Sequence, residues 1–83
     1  MDFLKIIKFP ITLSVNSKKY KLIEKLDKKL YNLDLVSSFY IDSINSDKLI
    51  YKIIYNSTPD KFINEFSNDN IKLNTNESIW TIE

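Results

Sequence analysis

The chain runs for 83 residues without a single glycine. That restricts how it can turn, because positive φ is cheap only for Gly and, among residues with a Cβ, is best tolerated by Asn and Asp. Nine Asn are present, and Asn45, Asn56 and Asn70 stand where a Gly would be expected, at the ends of runs with strand or helix character. Gly is not the only gap: Ala, Arg, Gln, His and Cys are also absent, while Ile, Lys, Asn, Phe and Tyr fill 44 of 83 positions. Gly, Ala and Arg have GC-rich codons and the abundant types AT-rich ones, so an AT-rich genome is the simplest cause.

The gaps exclude chemistry. Without His the commonest general base and the commonest transition-metal ligand are lost, and with them the triads built on His. Without Cys there is neither a disulfide nor a thiolate zinc site. Without Gly the P-loop and the dinucleotide-binding fingerprint cannot form, since both bring bare backbone against phosphate. Without Arg there is no bidentate recognition of phosphate or guanine. Twelve Lys against eleven Asp and Glu give a net charge of +1, too little to attract nucleic acid or an anionic membrane.

A chain of this size reads as one domain, residues 1–83, and buries about 60% of the surface it exposes when unfolded. The start, Met1 to Phe9, is apolar but broken by Lys5 and Lys8, so it lacks the unbroken apolar core of a signal peptide. No run approaches the roughly 20 apolar residues of a membrane span. The expected compartment is the cytoplasm if the chain is complete, and the cell envelope if it is cut from an exported protein.

Periodicity supplies the architecture. From Phe3 to Val15 the odd positions are mostly apolar and the even positions beyond Ile6 polar or Pro. This period of two predicts a strand over Ile11–Val15 with an extension over Phe3–Phe9. Pro10 cannot donate to a ladder and marks an edge, a bulge or the strand's start. Asn16-Ser17 offers an N-cap, and Leu22, Ile23, Leu26, Leu30 and Leu33 follow at helical spacing, which predicts an amphipathic helix over 17–32 with Glu24, Lys25, Lys28 and Lys29 facing solvent.

Leu35–Ile44 and Leu49–Tyr55 are β-rich and separated by Asn45-Ser46-Asp47, which makes a hairpin. Leu49, Tyr51, Ile53 and Tyr55 form the apolar set of the second strand, and Leu35, Phe39 and Ile41 that of the first. Pairing these sets puts residue 41 opposite 51 and residue 39 opposite 53. It requires a three-residue loop with an Asn or Asp in the left-handed conformation.

Thr58-Pro59-Asp60 starts a second helix with a capping hydroxyl, Pro at the first position and a first-turn acid. Phe62, Ile63 and Phe66 form its stripe, and Asn68-Asp69-Asn70 ends it. Ile71–Leu73 reads as a short strand, Asn74–Glu77 as a turn, and Ser78–Ile82 as a last strand with Trp80 and Ile82 on one face. The predicted fold class is α+β, a ferredoxin-like βαββαβ sandwich. It has a mostly antiparallel sheet, two helices on one face, and a last strand split into a small hairpin.

Little in this arrangement carries chemistry. Asp42 and Asp47 flank the hairpin tip, and Asp60 and Glu65 lie on the second helix. A carboxylate pair of the glycosidase kind needs a cleft, which a bare sheet face does not supply. Asp42 reads as a solvated acid paired diagonally with Lys52. A Ser–Lys dyad around Ser37-Ser38 needs a desolvated Lys, and the Lys residues sit on polar faces. No catalytic, cofactor-binding or metal-binding residue is expected, and the chain is not expected to be an enzyme.

Phe39-Tyr40 and Tyr51-Lys52 lie on the two strands where a ferredoxin-like RNA-binding module stacks bases, but Phe39 and Tyr51 fall on the expected core face. The open face is more informative. With the helices on the odd side, it shows Val36, Ser38, Tyr40, Asp42, Ile50, Lys52 and Ile54. Four of the seven are large apolar residues, whereas a wet sheet face alternates to polar. Val36, Tyr40, Ile50, Lys52 and Ile54 are therefore the candidate partner-binding residues, the partner being another protein, a neighbouring domain or a second copy. Edge strands without helix cover offer a second route, strand addition. Nucleic-acid binding through the same face is the alternative.

The stretch 30–82 also has a likeness. Leu35 to Ile41, then Ile50 to Phe62, then Ile71-Lys72-Leu73, then Trp80-Thr81-Ile82 resemble a small repeating module of uncharacterised cell-envelope proteins of proteobacteria. Those proteins pair such βαββαβ modules and close each on a Trp-x-apolar ending; the position of Asn56 is usually Gly there. The resemblance implies a non-enzymatic module, one domain of a longer exported protein.

Overall fold

The computed structural model describes residues 8–82. Its elements are β1 (Phe9–Asn16), α1 (Tyr20–Asn32), β2 (Val36–Ile44), β3 (Lys48–Tyr55), α2 (Pro59–Ser67), β4 (Leu73–Asn74) and β5 (Ile79–Ile82). They form a small α+β structure with one mixed five-stranded sheet in the order β2-β3-β1-β5-β4. The β1–β3, β2–β3 and β4–β5 pairs are antiparallel, and β1–β5 is parallel. The last strand is indeed split. Because β4 sits outermost and the chain folds back, β5 enters beside β1 in the parallel sense. The expected strand over 3–7 lies outside the described residues.

Both helices cover one face. Leu26 and Leu30 of α1 and Phe62 and Phe66 of α2 share a core cluster with Ile11, Leu13 and Val15 of β1 and Leu49, Tyr51, Ile53 and Tyr55 of β3. These are odd strand residues and members of the helical stripes that the periodicity marks, so hydrophobic pattern chooses the buried side, although Ile63 of the expected α2 stripe is only half-buried. Beneath α2 the packing is aromatic. Tyr55 meets Phe62 edge-on at 5.0 Å between centroids, Phe62 lies 4.5 Å from Phe66, and Trp80 is 6.2 Å from Phe62, all within the range of favourable ring pairs.

The hairpin register is as read: Ile41 lies opposite Tyr51 and Phe39 opposite Ile53. The means differ. Residues 45–47 lie outside the strands, but none of them has positive φ. Instead the Asn45 side-chain oxygen accepts from the backbone N–H of Asp47 (2.8 Å) and Lys48 (2.9 Å), an Asx turn. Two bulges, after Val36 and after Ile41, add one residue each to β2 and absorb the offset.

Other boundaries shift for local reasons. α1 begins at Tyr20, not at 17, and its N-terminus has no side-chain cap. The Asn16 side chain is spent on Lys18 N–H (2.9 Å), and Ser17 reaches the hairpin tip through its N–H to the Asp47 carbonyl (3.0 Å) and its hydroxyl to that of Ser46 (2.8 Å). Lys29 does not face open solvent. Its side chain is mostly covered, donates to Asp69 at 2.7 Å, and stands 5.7 Å from the Phe66 ring centre. The short strand after α2 is Leu73–Asn74, while Ile71 is a buried anchor.

The ends of α2 follow the sequence closely. Thr58 accepts from Lys61 N–H, Pro59 opens the helix and Asp60 sits in its first turn. At the far end Asn70 is the one left-handed residue among those described, with φ of 61°. Its N–H bonds the Ser67 carbonyl and Ile71 N–H bonds that of Phe66, both at 3.0 Å. This is a Schellman closure with Asn in the place Gly normally takes.

Candidate functional site

Sheet geometry sorts the five candidate residues. Tyr40, Ile50, Lys52 and Ile54 share the face without helices: Tyr40 pairs with Lys52, Ser38 with Ile54, and Ser43 with Ile50. Val36 is not among them. The bulge at Ser37 breaks the alternation, so Val36 lies directly opposite Tyr55 and packs against the core. Strict period-two counting misassigned it because one inserted residue reverses the facing of everything before it.

The open face is less apolar than its β2 and β3 residues imply. Continuing the rows onto β1, Lys52 meets Thr12, Ile50 meets Ser14, and Ile54 meets Pro10. Each Ile thus lies between a hydroxyl and either a second hydroxyl or Pro10, and both are half-buried by these neighbours. The Lys52 ammonium lies across β1 and donates to the Thr12 hydroxyl at 3.2 Å; among the described residues no ion pair joins it to Asp42. Phe39 is half-buried and Tyr51 fully so, which leaves Tyr40 as the exposed aromatic of this face among the described residues.

The larger exposed apolar surface lies along the β2 margin. Tyr31 is 83% exposed, Ile44 69%, Tyr40 58% and Ile41 42%. Ile41 and Ile44 are on the helix side of the sheet, opposite Tyr51 and Leu49, yet no helix reaches over them. With α1 centred on Leu26 and Leu30 over the inner strands, the outer strand is left part-covered.

That shortfall opens a groove of about 520 Å³ between α1 and β2, walled by Asp27, Lys28, Tyr31 and Asn32 on one side and Phe39, Tyr40 and Ile41 on the other, with Tyr51 as its floor. The Tyr51 hydroxyl donates to Asp27 Oδ1 at 2.6 Å. Burial, and then the hydrogen bond it donates to Asp27 and that carboxylate's charge, hold this phenol well above its ordinary value of 10.0. Asp27 is in turn fixed in place at the rim beside Lys28. Sequence reading missed Tyr31, Asp27 and Ile44. The available signal was Tyr31 itself, an aromatic outside the Leu stripe of its helix.

Among the described residues no helix is long and apolar enough to cross a membrane. No family model, no curated protein and no solved structure matches this chain.

Proposed function

We propose that this chain is a non-catalytic protein-interaction or assembly module whose docking surface is the β2 margin. The observation that carries the proposal is the concentration of exposed apolar side chains there: Tyr31, Tyr40, Ile41 and Ile44 border a strand whose outer edge has no neighbour in the sheet among the described residues. Exposed apolar area beside unpaired backbone fits recognition of an extended or strand-forming partner, in which main-chain bonds give affinity and flanking side chains give specificity. The open face, with its alternating hydroxyls, takes a lesser role.

The non-enzymatic reading rests on the alphabet of the chain. Without His or Cys, a hydroxyl nucleophile would have to be activated by a desolvated Lys or by a carboxylate set in a cleft. The ferredoxin-like assignment is part of the same proposal: β1-α1-β2-β3-α2 with the order β2-β3-β1 follows that sandwich, and the hairpin β4–β5 replaces its simple closing strand.

The test is site-specific photo-crosslinking in the cells that make the protein. A benzophenone side chain at position 31 or 44 should give discrete adducts, abolished by Ile41→Asp, while one at position 61 on α2 gives none. Absence of adducts from both margin positions refutes the proposal.

A further inference from the structure

We infer that the occupant of the β2 margin is a second copy of this chain, paired strand to strand about a two-fold axis so that two five-stranded sheets become one of ten. The inference rests on the docking surface proposed above and adds the identity of the partner.

The first argument is the pairing capacity of the edge. The bulges at Ser37 and Asp42 interrupt β2 on either side of Ser38–Ile41, leaving four regular residues. In an antiparallel ladder alternate residues turn both backbone groups outward, so two residues per copy meet two of the other. A stretch this short and centred suits a two-fold axis passing through Phe39 or Tyr40. It stops a third strand from gaining a long ladder, because bulged edges resist open-ended pairing.

The second argument is charge. Asp27 and Lys28 are adjacent on the groove wall that faces this stretch. A two-fold axis beside adjacent opposite charges sets each against its opposite in the other copy, giving two reciprocal ion pairs. The open sheet face has the contrary property. Lys52 stands near its middle, bonded to Thr12, so face-to-face stacking of two copies brings two ammonium groups together in a desolvated layer.

The third argument is area. Given that a Tyr buries on the order of 200 Å² when fully covered, Tyr31, Tyr40, Ile41 and Ile44 at their observed exposures offer roughly 500 Å² per copy. Complete cover of these side chains in both copies would bury at most roughly 1,000 Å² before the strand edges are counted, which is about the threshold for a specific interface.

The experiment is sedimentation equilibrium of the full chain in 0.15 M salt, from about 10 μM to about 1 mM, a range that brackets the weak end of specific association. The weight-average mass should rise from 9.8 kDa towards twice that value. Lys28→Glu, on the exposed wall of the groove, should weaken the dimer at least ~10-fold with the circular-dichroism spectrum of the folded chain unchanged. Ile44→Asp should do the same, while Ile79→Lys on the open face should leave the dimer intact. A mass that stays at the monomer value overturns the inference, as does a dimer indifferent to both margin variants or one broken by Ile79→Lys. A monomer in the centrifuge together with crosslinks of a mass other than the dimer's retains the docking surface and rejects the second copy.

Discussion

Replacing Tyr51 by Phe isolates the bond that ties the sheet to α1 at the groove. The ring is fully buried and Phe fills the same space, so the change removes the hydroxyl and its 2.6 Å bond to Asp27 and little else. A hydrogen bond to a charged group contributes about 1.5–3 kcal/mol. Asp27 is half-buried at the rim of an open groove, so the released carboxylate is rehydrated and the low end applies, about 1.5 kcal/mol. For a domain of this size that lowers the melting temperature by roughly 6–12 °C.

Asp27→Ala should be worse, about 2–3 kcal/mol, because it strands a buried phenol without an acceptor. The double variant should then be less destabilised than the sum of the singles by about 2 kcal/mol, since neither orphan remains. Urea titration at pH 7 with an unchanged m-value measures all three. A Tyr51→Phe loss below about 0.5 kcal/mol, or additive singles, refutes the reasoning. The pH dependence follows the same bond. The folded phenol lies above its ordinary 10.0, so its contribution is complete below that pH and is lost as pH rises through the folded value. Tyr51→Phe should flatten the alkaline fall in stability, and the rest is expected from Tyr55, whose phenol burial and then Glu65 also raise.

Three further outcomes are expected. Asn70→Ala should destabilise by about 1 kcal/mol and Asn70→Gly should be neutral or stabilising, read from urea midpoints, because φ of 61° penalises a Cβ that has no amide to offset it. Asp69 is held below its ordinary 3.8 chiefly by its bond from Lys29. Its contribution is complete above that pH and lost as pH falls through the folded value, so Asp69→Asn should flatten the acid limb of the stability curve while leaving the alkaline limb alone. Val36→Lys should lower stability by about 1–2 kcal/mol in the same assay, because the bulge at Ser37 turns this residue onto the core.

The legible part of the fold was the part governed by hydrophobic period. The core residues of β1, β3 and both helical stripes could be read directly, and so could the pairing of residues 39 and 41 with 53 and 51. α2 was legible to its caps because Thr58, Pro59 and Asn70 each satisfy a backbone demand that few other residues meet. What escaped was whatever depends on one inserted residue or on a contact distant in sequence. The bulges at Ser37 and Asp42 leave no mark in composition, and they moved Val36. The late start of α1 came from Ser17 bonding the hairpin tip some thirty residues away. The parallel entry of β5 came from a fold-back whose strands are two and four residues long, too short for periodicity to register.

Codon bias bears on the candidate surface as well, because an AT-rich gene places Ile and Tyr wherever strand and helix tolerate them. Drift of that kind scatters exposed apolar residues in proportion to the surface available. Among the described residues the large exposed apolar side chains are Tyr20, Tyr31, Tyr40, Ile41, Ile44 and Ile79, and four of these six border β2. Ile50 and Ile54, on the open face, are shielded by the hydroxyls and Pro10 beside them. The enrichment therefore lies at the long strand edge that the sheet leaves unpaired among the described residues, beside a wall carrying adjacent opposite charges. A mutational bias acts on codons without regard to where a sheet ends, whereas a docking surface has to lie where backbone groups are free to pair.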